Sequence, residues 1–254
     1  MLVAQDRRAD RVVWPQRMVL GLTRHWLAWV NLAWGAFVVL PWLAPVLMAA
    51  GLPGLARAIY GAYSLVCHQL ANRSFFLFGP RLMYSFQELV PLAPGVDAWS
   101  GLRAFIGAPE LGYKVAWSDR MAAMYGGIFL AGLVFVGLRR RLRSLKWWAF
   151  ILLSAPLAID GVTHAISDLW GIGNGFRYQN VWLANLTAHA LPQGFYAGAA
   201  LGSFNSLMRL ATGLLFGSAV VWTAYPALES TFGDARRSLE SSLGMEMRDV
   251  DENP

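Results

Sequence analysis

Charge and cysteine are both scarce in this chain. Only 14% of its 254 residues are charged, against roughly 25% in an average soluble domain. A soluble fold needs more charge than that to cover its surface. The composition, 56% hydrophobic with twelve tryptophans, belongs instead to a polytopic membrane protein. The single cysteine, Cys67, excludes an internal disulfide and any multi-cysteine metal site. A short apolar core with a cleavage motif is also missing from the first 24 residues, so no secretory leader is expected there. The net charge of +6 sits beside apolar runs, where positive residues act as orientation signals. It does not point to nucleic acid.

The apolar runs predict four spans, at about 26–50, 121–138, 147–166 and 207–226. Each is close to the ~20 residues that a hydrocarbon core of ~30 Å requires. Residues 1–25 form a basic tail with an interfacial helix near Trp14–Leu22, and Pro41 and Pro45 are expected to kink or end the first span. Between the second and third spans lie Arg139, Arg140, Arg141, Arg143 and Lys146. Positive loops face the cytoplasm, which sets both termini inside, with outer loop regions at 51–120 and 167–206 and an inner tail at 227–254. The expected membrane is the bacterial cytoplasmic membrane.

In the first outer region, apolar spacing at Leu55, Ile59, Ala62, Val66 and Leu70 predicts an amphipathic helix over 54–71. Short helices are expected at 82–90 and 98–106 within an otherwise irregular stretch. The second region contains Val181–Gly202, apolar enough to suggest a fifth span. His189, Pro192 and Gln193 in its middle argue for an interfacial helix instead. The fold expected is therefore all-α: four transmembrane helices and two long extracytoplasmic loop regions carrying short interfacial helices.

Topology also places chemistry. Asp160 lies thirteen residues into the third span, roughly 20 Å deep at 1.5 Å per residue. His164 is one turn further along the same face. By the same count Cys67, His68, Arg73, Arg120 and Arg209 fall in that layer. A lone charge there is costly, so partners are expected, with Asp160 paired to Arg209 or Arg120. The plain reading of this cluster is a polar lock between helices, with Arg73 and His68 tying the amphipathic helix to the spans. Asp160 as a proton-handling or substrate-binding carboxylate is the sharper reading. Cys67, His68 and His164 are candidate metal ligands, although a tetrahedral site needs four. His25, His164 or His189 would be an axial ligand to a tetrapyrrole. Phe75, Phe76 and Phe78 pack a turn, or stack on a quinone, lipid or pigment.

The stretch Cys67-His68-Gln69, Arg73-Ser74-Phe75-Phe76 and Gly79 resembles a prokaryotic membrane family, domain of unknown function 2085. Ala158-Ile159-Asp160-Gly161 and Arg209-x-x-Thr212-Gly213 are similar to further motifs of that family, as are Arg120, Tyr125 and Gly127. The resemblance implies two more cysteines in the second motif, which here fall on Ser118 and Met121. A typical member would bring three thiolates and a histidine together; this chain is a divergent member that cannot. The family carries no established activity.

These readings converge on a non-catalytic accessory or assembly subunit of a larger membrane complex, a bioenergetic one among the candidates. Its expected partners are other integral subunits and lipid, with no cofactor and no catalytic residue. Two other classes compete. One is an enzyme or carrier for a lipophilic substrate working at Asp160, His164 and Arg209. The other is a protein binding a metal or tetrapyrrole.

Overall fold

The computed structural model describes residues 14–252, with side chains described through Leu243. The charged positions Asp6, Arg7, Arg8, Asp10 and Arg11 lie outside the described residues. Helix α1 covers 14–24, and α2 follows as Trp26–Ala49. Next come α3 (Pro53–Tyr63), strand β1 (Ser74–Leu77), α4 (Phe86–Leu92) and α5 (Trp99–Ala104). Strands β2 (Gly107–Ala108) and β3 (Gly112–Ser118) lead directly into α6 (Asp119–Leu138). Helix α7 is Trp147–Leu169, α8 Val181–Leu186, α9 Gln193–Tyr196 and α10 Phe204–Glu252. Four of these helices, α2, α6, α7 and α10, are long and apolar enough to cross a membrane. Their outward residues, such as Leu130, Val134, Leu152 and Ile159, are exposed, as a lipid-facing surface requires. Residues 181–202 form two short helices and no span.

Neither Pro41 nor Pro226 ends its helix, for one shared reason. A proline cannot donate to the carbonyl four residues back. A free carbonyl is costly in an apolar medium unless something else bonds it. For Pro41 that carbonyl is Phe37 O, and the Tyr63 hydroxyl donates to it at 2.8 Å. For Pro226 it is Trp222 O, and the Leu145 N–H approaches it at 3.4 Å. The helix that carries the fourth candidate span therefore continues unbroken to Glu252. Its extension is tied to the start of α2. Trp26 Nε1 donates to Glu229 at 2.9 Å, Trp26 stacks on Phe232, and Arg24 pairs with Glu240.

Helices α6 and α10 pack backbone to backbone. A Cβ at Gly217 would fall 2.4 Å from Met124 O, and one at Gly213 2.9 Å from Arg120 O. Small residues four apart on one helix allow this approach. On the α2 side, Asn31 Nδ2 donates to Gly132 O at 3.1 Å. Below it, Trp26, Leu27, Ile128, Phe135, Val221 and Tyr225 form a buried cluster.

The helical class holds, but the first loop region contains a small sheet absent from the sequence reading. The strand order is β1-β3-β2, all antiparallel, with Ser74 opposite Ser118. Val115, Ala116 and Trp117 on β3 are fully buried among α2, α3 and α6. With both faces covered, β3 shows no alternation that would announce a strand. Gly112, at φ +78°, marks its start; a Cβ there would lie 2.3 Å from Leu77 O.

Helix α3 also departs from expectation, ending at Tyr63 rather than 71. The apolar stripe that suggested a longer helix faces outward: Leu55 and Val66 are exposed. The buried face is Ala56, Tyr60 and Tyr63. Both tyrosine hydroxyls are spent on backbone carbonyls, those of Lys114 and Phe37.

Candidate functional site

At the sheet end of the bundle, five segments bring their polar side chains into one layer. The β3–α6 junction supplies Asp119 and Arg120. Helix α7 supplies Asp160, His164, Ser167 and Asp168, which recur at helical spacing on one face. A 3₁₀ turn at Ala71–Arg73 supplies Arg73, and another at Phe176–Tyr178 supplies Arg177 and Tyr178. The first turns of α10 supply Asn205, Ser206 and Arg209.

Each carboxylate is held by arginine. Asp160 accepts from Arg120 Nη2 on one oxygen and from Arg177 Nη2 on the other, both at 2.6 Å. Asp119, fully buried, accepts from Arg209 Nε at 2.7 Å and from Ser206 Oγ at 3.3 Å. Asp168 accepts from Arg73 Nη2 at 2.7 Å and from the Tyr178 hydroxyl at 3.0 Å. His164 sits between two of these pairs. Its Nδ1 lies 2.9 Å from Asp160 O, which can only accept, and its Nε2 lies 3.5 Å from Arg209 Nη1, which can only donate. Arg120 Nη2, also a donor, lies 3.4 Å from Nδ1; the shorter Asp160 O contact places the proton on Nδ1, and the donating Arg209 Nη1 leaves Nε2 without one.

Backbone amides and carbonyls close the layer. Arg177 N donates to Ser167 Oγ at 3.0 Å. Asn180 Nδ2 donates to Arg177 O and Tyr196 O, both at 2.8 Å. Asn205 Nδ2 also reaches Arg177 O, and donates to Gly198 O at 2.7 Å. The long loop 170–203 is thus pinned to the spans through amides.

A second polar site lies within the sheet. Lys114 is fully buried, and its Nζ donates to Gln69 O and Arg103 O, both at 2.7 Å. Its contacts are carbonyls and no carboxylate, so burial brings its pKa down to about 7, with Arg103 adding to that effect and Cys67 opposing it. Arg73 differs. Burial alone would lower its pKa, but Tyr178 and Asp168 more than offset this and raise it. Arg177 has its pKa lowered, by burial first, despite the opposing Asp160.

Among the residues singled out from sequence, Arg73, Arg120, Asp160, His164 and Arg209 meet in the layer. Of the two partners expected for Asp160, Arg120 pairs with it and Arg209 does not; Arg209 goes to Asp119, and Arg177 takes the second oxygen of Asp160. His68 is not part of the lock. It is exposed, with its ring against Trp99 at 5.3 Å. Cys67 is buried beside the layer, its sulfur accepting from Gln69 N and Ser118 N at 3.4 and 3.3 Å. His25 and His189 are exposed and apart from it. Among the described residues no three His, Cys, Asp or Glu are grouped as metal ligands. Cys67, His68, Ser118 and Met121 nevertheless line one cleft of about 70 Å³. These are the four positions at which the resemblance implies three thiols and an imidazole.

Sequence reasoning missed Asp119 as a pair member, and missed Asp168, Arg177 and Lys114 altogether. Asp168 was findable, since it stands one turn beyond His164 on the same face. Arg177 and Lys114 sit in loop-like sequence with no periodicity to place them.

Residues 110–223 match the family described as a predicted membrane protein, domain of unknown function 2085. The match covers α6, α7 and the start of α10, so the Asp160 and Arg209 motifs fall inside it and Cys67–Gly79 outside. An uncharacterized protein of Methanocaldococcus jannaschii is 27% identical over 136 residues, which is 52% of this chain and 65% of that protein. The chain thus spans a little under two thirds of that relative's length. No solved structure matches. The chain is a membrane protein with four candidate spans.

Proposed function

We propose that this chain is a non-catalytic accessory or assembly subunit of a larger membrane protein complex, with bioenergetic complexes among the candidates. The observation that carries this reading is that every carboxylate of the polar layer is engaged. Asp119, Asp160 and Asp168 are each engaged by a guanidinium. A carboxylate serving as a general base needs a free lone pair facing a reactant. Here Asp160 spends both oxygens on arginines that come from different segments. The layer works as a lock that fixes α6, α7, α10 and the loop regions relative to one another.

Two surfaces suit a scaffold. Beyond Pro226, α10 continues for about 26 residues, roughly 39 Å at 1.5 Å per residue, and presents Asp234, Arg236, Arg237 and Glu240 to solvent. Within the apolar zone, a groove of about 470 Å³ between α6 and α10 is lined by Leu130, Val134, Leu214 and Trp222. The groove suits a partner helix or lipid. The proposed setting is the bacterial cytoplasmic membrane. Arg139, Arg140, Arg141, Arg143 and Lys146 in the α6–α7 connection support a cytoplasmic position for that end and for both termini.

Affinity purification of the full chain from native membranes in a mild detergent tests this. The expected outcome is co-purification of one or more integral membrane proteins in stoichiometric amount. A chain recovered alone and monodisperse would overturn the proposal.

A further inference from the structure

The lock does not balance in charge. Arg73, Arg120, Arg177 and Arg209 pair with only Asp119, Asp160 and Asp168, four positive groups against three negative. Among the described residues no other carboxylate lies within 4 Å of these guanidiniums, and His164 is neutral by its hydrogen bonds. A buried charge without a counter-charge is costly. Arg73 has Asp168 and Arg209 has Asp119, so the surplus lies with Arg120 and Arg177, which share Asp160. Arg73 and Arg120 bond to the lock only through Nη2. Among the described residues the Nε–H groups of Arg73, Arg120 and Arg177 are all buried without a partner, and of these three arginines Arg73 and Arg120 reach the cleft. Both arginines line the cleft of about 70 Å³, together with Arg209.

The same cleft receives the N-terminus of α6, a helix of 20 residues. Ser118 to Met121 line it, and the Ser118 side chain makes no capping hydrogen bond. A helix N-terminus carries a positive partial charge and free N–H groups, which suit an anion. Asp119 in that first turn accepts the Arg120 N–H at 2.8 Å, and Arg209 holds its carboxylate. The volume exceeds the 10–15 Å³ or so that one water needs in such a measure, and leaves room for a small oxyanion. Trp99 and Leu70 give the cleft an apolar side, and His68 stands exposed beside it.

We propose that this cleft binds a phosphate oxyanion, carried by a lipid headgroup or free in solution, between Arg73, Arg120 and the α6 N-terminus. Phosphate suits paired guanidiniums through charge-assisted hydrogen bonds. The anion would neutralise the odd positive charge carried by Arg120 and Arg177.

The test uses the full chain, delipidated in a maltoside detergent that contains no phosphate. Thermal stability is followed while inorganic phosphate, phosphatidylglycerol or, as control, chloride is added at matched ionic strength. The expected result is a saturable rise of several degrees with phosphate or with the lipid, beyond that with chloride. Whichever probe acts identifies the source. Met121→Glu, and His68→Glu at an exposed position, each place a carboxylate beside the cleft. Both should raise the half-saturating concentration about ten-fold or more. No stabilisation beyond chloride by either probe, or an unchanged response in the folded variants, would overturn the proposal.

Discussion

Replacing Asp160 with asparagine tests the lock most directly. The amide has the carboxylate's shape but carries no charge, and one of its two ends donates rather than accepts. In the native chain the two oxygens each take a guanidinium at 2.6 Å, and the Asp160 side chain is only 5% exposed. After Asp160→Asn one arginine keeps an acceptor and the other faces an N–H₂ group. Both then lack a counter-charge. Removing one member of a buried pair costs about 3–5 kcal/mol. Two pairs are lost here, but the Arg120 side chain is 17% exposed and keeps some water. The range of about 3–5 kcal/mol therefore stands for the whole change, and at about 2–4 °C per kcal/mol for a chain of this size it lowers Tm by about 6–20 °C. Size-exclusion chromatography of heated samples in mild detergent reads this midpoint. Adding Arg177→Gln to Asp160→Asn removes one stranded charge and should recover part of the loss. An unchanged midpoint in Asp160→Asn would refute the reasoning. If a measurable flux or turnover vanished at the same time, the carboxylate would belong to a reaction instead.

Four further outcomes follow from the same geometry. Arg73→Ala removes the partner of Asp168 and Tyr178 and should destabilise the chain by about 3 kcal/mol, read as a lower Tm; a stable, fully assembled variant would contradict the lock. Lys114 has its folded-state pKa depressed to about 7 from 10.5. The unfolded chain then binds more protons between those values, so stability should rise as pH increases from about 7 to 10.5, by up to about 1.4 kcal/mol per unit. Thermal melts across that range should show the slope in the wild type and lose it in Lys114→Met. Gly217→Val forces a side chain onto Met124 O and should separate α6 from α10, costing several kcal/mol, at least about the 1–3 kcal/mol of ordinary overpacking. Ser118→Cys with Met121→Cys would place three thiols and His68 around the cleft, and cobalt titration should give the absorption bands of a tetrahedral thiolate site; a featureless spectrum would mean that lining a common cleft does not bring these positions into ligand geometry.

The spans were legible because apolar length is a local property. Trp26–Ala49 and Trp147–Leu169 end within a few residues of where hydropathy and flanking charge put them. The shared depth of Arg73, Arg120, Asp160, His164 and Arg209 was legible too, since depth follows from counting 1.5 Å per residue along a helix. What hydropathy could not show was where prolines are harmless. Pro41 and Pro226 pass through because Tyr63 and Leu145, remote in sequence or across a loop, bond the carbonyls they release. Nor could periodicity reveal β3, whose residues are buried on both faces and include a lysine.

By itself the amino-acid sequence determined that this is a four-span membrane protein with an unusual polar layer near one end of its spans. Those properties depend on apolar length, helical rise and the cost of charge in hydrocarbon, which act locally along the chain. The tertiary structure alone decided which charges pair. Arg120 and Arg177 share Asp160, Arg209 turns to Asp119, and Arg73 reaches Asp168. Depth confines each group to a layer, but the rotation of each helix about its own axis, set by packing such as the Gly213 and Gly217 approach to α6, selects the neighbour. That selection leaves four guanidiniums on three carboxylates, and the surplus positive charge beside the α6 N-terminus is visible only once the helices are packed.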